Sequence, residues 1–144
     1  GLYEHNPTVT CVGVSMEEIY RIGEHMAEKL NAAKGPSVLC VPMRGWGACD
    51  LASPDIELGW AGPGAGPVWV ADENNPNWSR RAVQYVKALK ATIDPNKDNL
   101  EVILVDKHMN EPEFAELMAE LLLEMLDGKW KKGNKSDLPF VIPF

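Results

Sequence analysis

"LEVILVDKHMNEPEF", residues 100–114, decides the fold. From Leu100 to Val105 the run is almost continuously apolar, broken only by Glu101. A strand facing solvent on one side would alternate; a near-continuous run is what helices on both faces of a sheet require. The polar residues Asp106, His108 and Asn110 follow, and then Glu111-Pro112-Glu113 opens a helix. Phe114, Leu117, Met118, Leu121 and Met125 recur at helical spacing as its expected core stripe, and Gly128 ends it.

Two more strand–helix units precede this one. Residues 8–14, "TVTCVGV", are β-branched and apolar and read as a buried strand. Ser15 followed by Glu18 is a capping box, in which each side chain satisfies a backbone N–H of the other. Met16, Ile19, Tyr20, Gly23, Met26, Ala27 and Leu30 supply the apolar face of the helix it starts. "AAKGP" ends that helix, with Gly35 suited to a left-handed cap. Residues 37–43, "SVLCVPM", form the second strand; Pro42 has no N–H to give a ladder, so this strand ends there or lies at an edge. Asn75-Pro76 marks the start of the second helix, with Trp78, Ala82, Tyr85, Val86, Leu89 and Ile93 inward. The order β-α-β-α-β-α gives an α/β fold: three layers around a small, mostly parallel, Rossmann-like sheet. Residues 1–144 read as a single α/β domain within a larger protein, containing a long Gly/Pro/Trp-rich loop over 44–77 and an extended tail over 129–144. Three strands are few for this length, so the loop or the apolar arm "LPFVIPF" is expected to add short ones.

A hydrophobic content of 45% and a net charge of −7 suit a globular domain with its own core. The acidic balance argues against a nucleic-acid surface, and no apolar run reaches the roughly 20 residues of a membrane helix. Cys11, Cys40 and Cys49 lack zinc-site spacing and read as free thiols, which together with the lack of a signal-like start places the chain in the cytoplasm. Lys129 to Lys135 reads as a solvated basic cluster, and Glu113, Glu116, Glu120 and Glu124 as the solvated face of the third helix.

Ligands of open parallel sheets bind outside the carboxyl ends of the strands. Ser15-Met16, "RGWGACD" (44–50) and "DKHMN" (106–110) all project there. Arg44 can hold a carboxylate or phosphate bidentately, Gly45 and Gly47 permit an anion-binding turn of backbone N–H groups, and Trp46 can wall a ligand. Asp50 can orient Arg44 or bind a hydroxyl. If extended geometry persists past Val105, Asp106, His108 and Asn110 share one face, and Asp106 beside His108 forms a general-base pair. Asn110 also serves as the cap of the third helix, with Glu113 completing a capping box. No third ligand accompanies Asp106 and His108, so no metal is assigned. These residues suggest a small anionic ligand, a nucleotide or phosphorylated carbonyl compound. The rival reading is a protein-interaction or oligomerisation module, with the Trp-rich loop and terminal arm as surfaces for a protein partner or a homo-oligomer.

"EHNPTVT", "SMEEIYRIGEHMAEKLNAAKGPSVLCVPMRGWGACD" and "VDKHMNEPEFAELMAELL" together resemble the tomato mosaic virus resistance protein family, whose members carry an ATP-binding-like domain. The resemblance implies that this chain is the C-terminal part of a two-domain α/β protein. It implies that ATP or another nucleotide associates mainly with the domain outside this chain, and that a protein partner is engaged. Arg44, Gly45, Asp50, Asp106, His108 and Asn110 fall on the family's motifs, whereas the stretch 51–77 departs from its short connection.

Overall fold

A computed structural model of the chain describes residues 2–47, 50, 60–61 and 70–144. Among these, the elements in chain order are β1 (Leu2–Asn6), β2 (Val9–Val12), α1 (Met16–Ala32), β3 (Ser37–Pro42), β4 (Trp60–Ala61), α2 (Arg80–Thr92), β5 (Leu100–Val105), α3 (Pro112–Leu126) and β6 (Val141–Ile142). The fold is α/β, as the alternation of strand and helix patterns predicts.

The central sheet has the order β3-β5-β6. β3 and β5 run parallel in register from Ser37↔Leu100 to Pro42↔Val105. β5 sends Val102 and Leu104 to one face and Ile103 and Val105 to the other. Both faces are covered, which is why its sequence is apolar at every position but Glu101. On the first face α1 and α2 pack Ile19, Ala27, Ala82, Tyr85, Val86 and Leu89 against Val41 and Val102. On the second, α3 contributes Phe114, Leu117 and Leu121, joined by Trp130, Leu138 and Phe140. The α1–α2 seam depends on Gly23: a Cβ there would lie 2.7 Å from Ala88 Cβ and 2.9 Å from the Tyr85 carbonyl oxygen.

Local signals explain several boundaries. The capping box at Ser15 is formed: Ser15 Oγ accepts from the Glu18 N–H at 3.2 Å, and Ser15 N–H donates to Glu18 Oε2 at 2.7 Å. Asn6-Pro7 is a turn, in which Asn6 Oδ1 accepts from the Thr8 N–H. Gly128 closes α3 with φ +68°.

Other expectations are corrected. The strand expected over 8–14 exists as β2, but it pairs antiparallel with β1 in a separate sheet of order β2-β1-β4. The Asn6-Pro7 turn folds it back on β1. The long 44–77 segment does contribute a strand, β4, antiparallel to β1; much of that segment, including Cys49 and Trp69, lies outside the described residues. Gly35 does not take the left-handed conformation, because α1 ends in extended geometry at Ala33. α2 starts at Arg80 rather than near Pro76, as residues 75–78 form a turn closed by Trp78 N–H to the Asn75 carbonyl. The N-cap of α3 is Glu111, not Asn110, and Pro112 takes the first helical position. On α3, Met118 is half exposed rather than part of the buried core.

The tail of 129–144 is no solvated appendage. Val141 and Ile142 add to β5 antiparallel. Lys135 Nζ is 2.9 Å from both Glu120 Oε2 and Glu124 Oε1, and Lys132 Nζ donates to the Lys97 carbonyl. Part of the acidic stripe on α3 thus serves to hold the basic segment down. No described helix is long and apolar enough to cross a membrane.

Candidate functional site

The parallel β3–β5 pair delivers two loops to the carboxyl edge, and backbone hydrogen bonds continue the pairing beyond the strands. Met43 N–H donates to the Val105 carbonyl, Arg44 N–H to that of Lys107, and Met109 N–H to that of Gly45. Gly45 is required at this crossing. Its φ is +134°, and a Cβ would fall 1.9 Å from the Asp50 carbonyl oxygen and 2.9 Å from His108 Cδ2. Arg44 and His108, distant in sequence, are therefore neighbours on one rim.

Their partners differ from the sequence-based expectation. Arg44 donates bidentately to Asp106, Nε to Oδ1 at 3.0 Å and Nη2 to Oδ2 at 2.9 Å. Trp78 Nε1 also donates to Asp106 Oδ1 at 2.9 Å. The Arg44 hydrogen bonds, then that of Trp78, hold the Asp106 carboxyl below the usual carboxylate range despite partial burial; the same ion pair raises Arg44. Asp106 is thus an ionised structural partner of Arg44 rather than the orienting partner of His108. Extended geometry ends at Val105, so residues 106, 108 and 110 do not continue on a common strand face.

His108 is buried, with 5% of its surface exposed. Its Nδ1 accepts from the Asn110 N–H at 3.2 Å, which assigns the proton to Nε2, 3.3 Å from the Gly47 carbonyl oxygen. Its own backbone N–H donates to Glu111 Oε2 at 2.6 Å. The ring pins the Gly47 turn, and Asn110, expected as a ligand group or cap, is exposed.

Asp50 is buried inside the first loop. Its Oδ2 accepts from the Trp46 N–H at 3.0 Å and its Oδ1 from the Ser79 hydroxyl at 3.3 Å. Burial pushes its carboxyl up; the Trp46 and Ser79 hydrogen bonds, with Arg81 and His108 nearby, oppose that rise. The turn expected to cradle a ligand anion points its Trp46 N–H at the protein's own carboxylate. Gly47 lacks positive φ, and its carbonyl accepts from the Asp50 N–H. Trp46 faces inward: Nε1 donates to the Pro42 carbonyl at 2.9 Å, and the ring meets Tyr85 edge to face at 5.3 Å. Arg44, Gly45, Trp46, Gly47, Asp50, Asp106, His108 and Asn110 are brought to one place, chiefly as a mutually bonded framework.

Sequence reasoning missed the residues that complete it. Ser79, fully buried, gives its hydroxyl to Asp50 instead of capping α2. Lys107 bridges Glu111 and Glu113 at 3.2 and 2.7 Å. Beside the framework lies a polar cavity of about 350 Å³, bounded by Met16 at the start of α1, by Asp72 to Asn74, and by Arg80, Gln84 and Lys87 of α2. Arg80 and Lys87 are in no ion pair among the described residues. The helical spacing of Arg80, Gln84 and Lys87 was a legible signal of one polar face. Among the described residues, no group of three His, Cys, Asp or Glu side chains is placed to hold a metal ion. Cys40, half-buried and free, has its thiol pushed up to about 12 by burial, with Glu101 adding to the rise, so it is a poor nucleophile.

Residues 1–58 match the family described as the C-terminal domain of the uncharacterised protein family UPF0261. The similarity is to UPF0261 proteins. A UPF0261 protein of Clostridium tetani is 31% identical over 126 residues, covering 88% of this chain and 26% of that protein. One from Mesorhizobium japonicum is 31% identical over 121 residues, covering 83% of this chain and 25% of its own length. One from Rhizobium meliloti is 30% identical over 115 residues, covering 80% and 24%. These matches replace the tomato mosaic virus resistance family inferred from the motifs. The chain spans about a quarter of the length of these relatives.

Proposed function

We propose that this chain contributes the carboxyl-edge ligand site of a longer UPF0261-like protein and that the ligand is a small phosphorylated or carboxylated compound. The observation carrying this reading is the cavity at the first turns of α2, with Arg80 and Lys87 on its wall and Gln84 between them. Arg80 in the first turn of α2 and Lys87 two turns on, neither in an ion pair among the described residues, favour an anion there, on the side of the cavity away from Asp72 and Glu73. Arg44, expected to hold the anion, instead fixes the neighbouring loops through Asp106. The volume lies at the low end of the ~300–1,000 Å³ typical of ligand pockets, which favours a phosphorylated carbonyl compound over an entire nucleotide. A protein-interaction module is the second reading, and the open edge of β3 favours it.

Thermal shift with inorganic phosphate, a triose phosphate, AMP and ATP tests the ligand reading. Wild type is expected to gain several degrees with a phosphate ester, and Arg80→Ala and Lys87→Ala to lose most of that gain while melting normally without ligand. A gain that survives both substitutions, or no gain with any probe, overturns the assignment.

A further inference from the structure

The sheet is open on its β3 side. Among the described strands, β3 pairs with β5 alone. Ser37 N–H donates to the Asn99 carbonyl and Met43 N–H to that of Val105, so the odd-numbered residues of β3 turn their backbone groups toward β5. Alternation then turns those of Val38, Cys40 and Pro42 outward. Pro42 has no N–H to leave unsatisfied, and its carbonyl is taken by Trp46 Nε1. What remains is a short bonding edge, the N–H and C=O of Val38 and of Cys40.

The Cys40 part of that edge, with Leu39, Val41 and Pro42, lies at the floor of an apolar groove of about 350 Å³. One wall is Ile22 of α1 with Tyr85 of α2; the other is Phe114 and Met118 of α3. Ile22 and Met118 are 46% and 50% exposed, and Met26 and Leu122 extend the same apolar character beyond them. Protected edges normally carry charge or are covered. Here both helical layers present apolar side chains at a strand that is an edge among the described strands, with two backbone positions that bond no described residue.

We propose that β3 receives a further β-strand from the part of the longer polypeptide that lies outside this chain. The curated relatives are about four times as long as the stretch matched here, so a covalently attached source of strands is at hand. The groove specifies the occupant's chemistry. Its side chains meet apolar walls alternately toward α1 and toward α3, so the strand is apolar on both faces, rich in Val, Ile or Leu. It pairs through Val38 and Cys40 and stops short of Pro42, which limits it to about five residues. This inference is independent of the ligand reading, since the α2 cavity and the β3 groove share no lining residue.

Amide hydrogen exchange on the 144-residue chain and on the full-length polypeptide tests the proposal. In the shorter chain the Val38 and Cys40 amides are expected to exchange at least a hundredfold faster than those of Leu39 and Val41, and in the full-length protein to be protected alongside them. Met118→Glu, an exposed position in this chain, should leave its melting temperature nearly unchanged and lower that of the full-length protein by several degrees. Fast exchange at Val38 and Cys40 in the full-length protein overturns the proposal. So does protection in the 144-residue chain that rises with its concentration, because a second copy would then be the occupant.

Discussion

The two faces of the central sheet are held by different physics. On the α1–α2 face the helices approach until backbone touches side chain: Gly23 leaves no room for a Cβ against Ala88 and Tyr85, and Ala27, Ala82, Ala88 and Leu89 are fully buried. Small residues let the helices close up, and the gain is apolar burial and dispersion, insensitive to salt. On the other face a single helix covers the sheet. Met118, Leu122, Leu123 and Leu126 of that helix are exposed, and the 129–144 segment is tied to it by Lys135 between Glu120 and Glu124. The first face should respond to volume and the second to ionic strength. The carboxyl edge, where Arg44 meets Asp106, lies between these regimes.

The sharpest way to break the contrast is Gly23→Ala. Helix propensity alone predicts a gain of about 1 kcal/mol from replacing a mid-helix glycine. The new Cβ would meet Ala88 Cβ at 2.7 Å and the Tyr85 carbonyl at 2.9 Å, and neither belongs to a flexible side-chain end. Overpacking costs typically ~1–3 kcal/mol, so after the propensity gain the net expectation is a loss of up to about 2 kcal/mol, unchanged between low and high salt in urea titrations. A stabilised variant would show that α1 and α2 separate at little cost.

Next in size is Asp106→Asn at the carboxyl edge. The folded carboxyl lies below its ordinary value of 3.8, so its contribution is present above that value and lost as the pH falls through the lower folded one. The pair is about a third exposed, and solvent screening limits the effect to about 1 kcal/mol at neutral pH. The stability gap between wild type and Asp106→Asn should be full at pH 7 and close as the pH drops below about 4. Asp50 has the opposite sign: raised by burial, it contributes below 3.8 and loses that contribution as pH rises through its higher folded value. A gap that widened on acidification would mean Arg44 is not the partner that matters.

The same division runs through what the sequence made legible. Dry, periodic features were readable: the run Leu100 to Val105, the capping box at Ser15, and the stripe Ala82, Tyr85, Val86 and Leu89 all sit where their spacing puts them. Pro42 was expected to end its strand or mark an edge; β3 does end there and is an edge among the described strands, where a missing N–H is tolerated. The framework of the carboxyl edge was located but not wired. Asp106 and His108 looked like a pair because i and i+2 share a strand face, yet the strand stops at Val105 and Asp106 turns to a guanidinium contributed by another loop. Long-range partners such as Ser79 with Asp50, or Lys135 with Glu120, leave no periodic trace, since each depends on where two separate segments end up.

The smallest expected effect sharpens the comparison most. Lys135→Ala removes the cation shared by Glu120 and Glu124, which lie one helical turn apart and repel each other once it is gone. Lys135 is itself only 13% exposed at its side chain, so truncation also uncovers apolar stem. Surface pairs are individually weak, and two sharing one cation should be worth about 1–3 °C in melting temperature at low salt. The decisive quantity is how that loss varies with salt. At about 1 M salt the Debye length is near 3 Å, so the ion-pair part should vanish and leave only the packing part of the stem. A Lys135→Met variant separates the two, keeping the stem without the charge: it should match Lys135→Ala at low salt less the packing loss, and match wild type at high salt. If Lys135→Met melts with wild type at every salt concentration, the α3 face is fastened by apolar contact of Trp130, Leu138 and Phe140 alone, and the two faces of the sheet are alike after all.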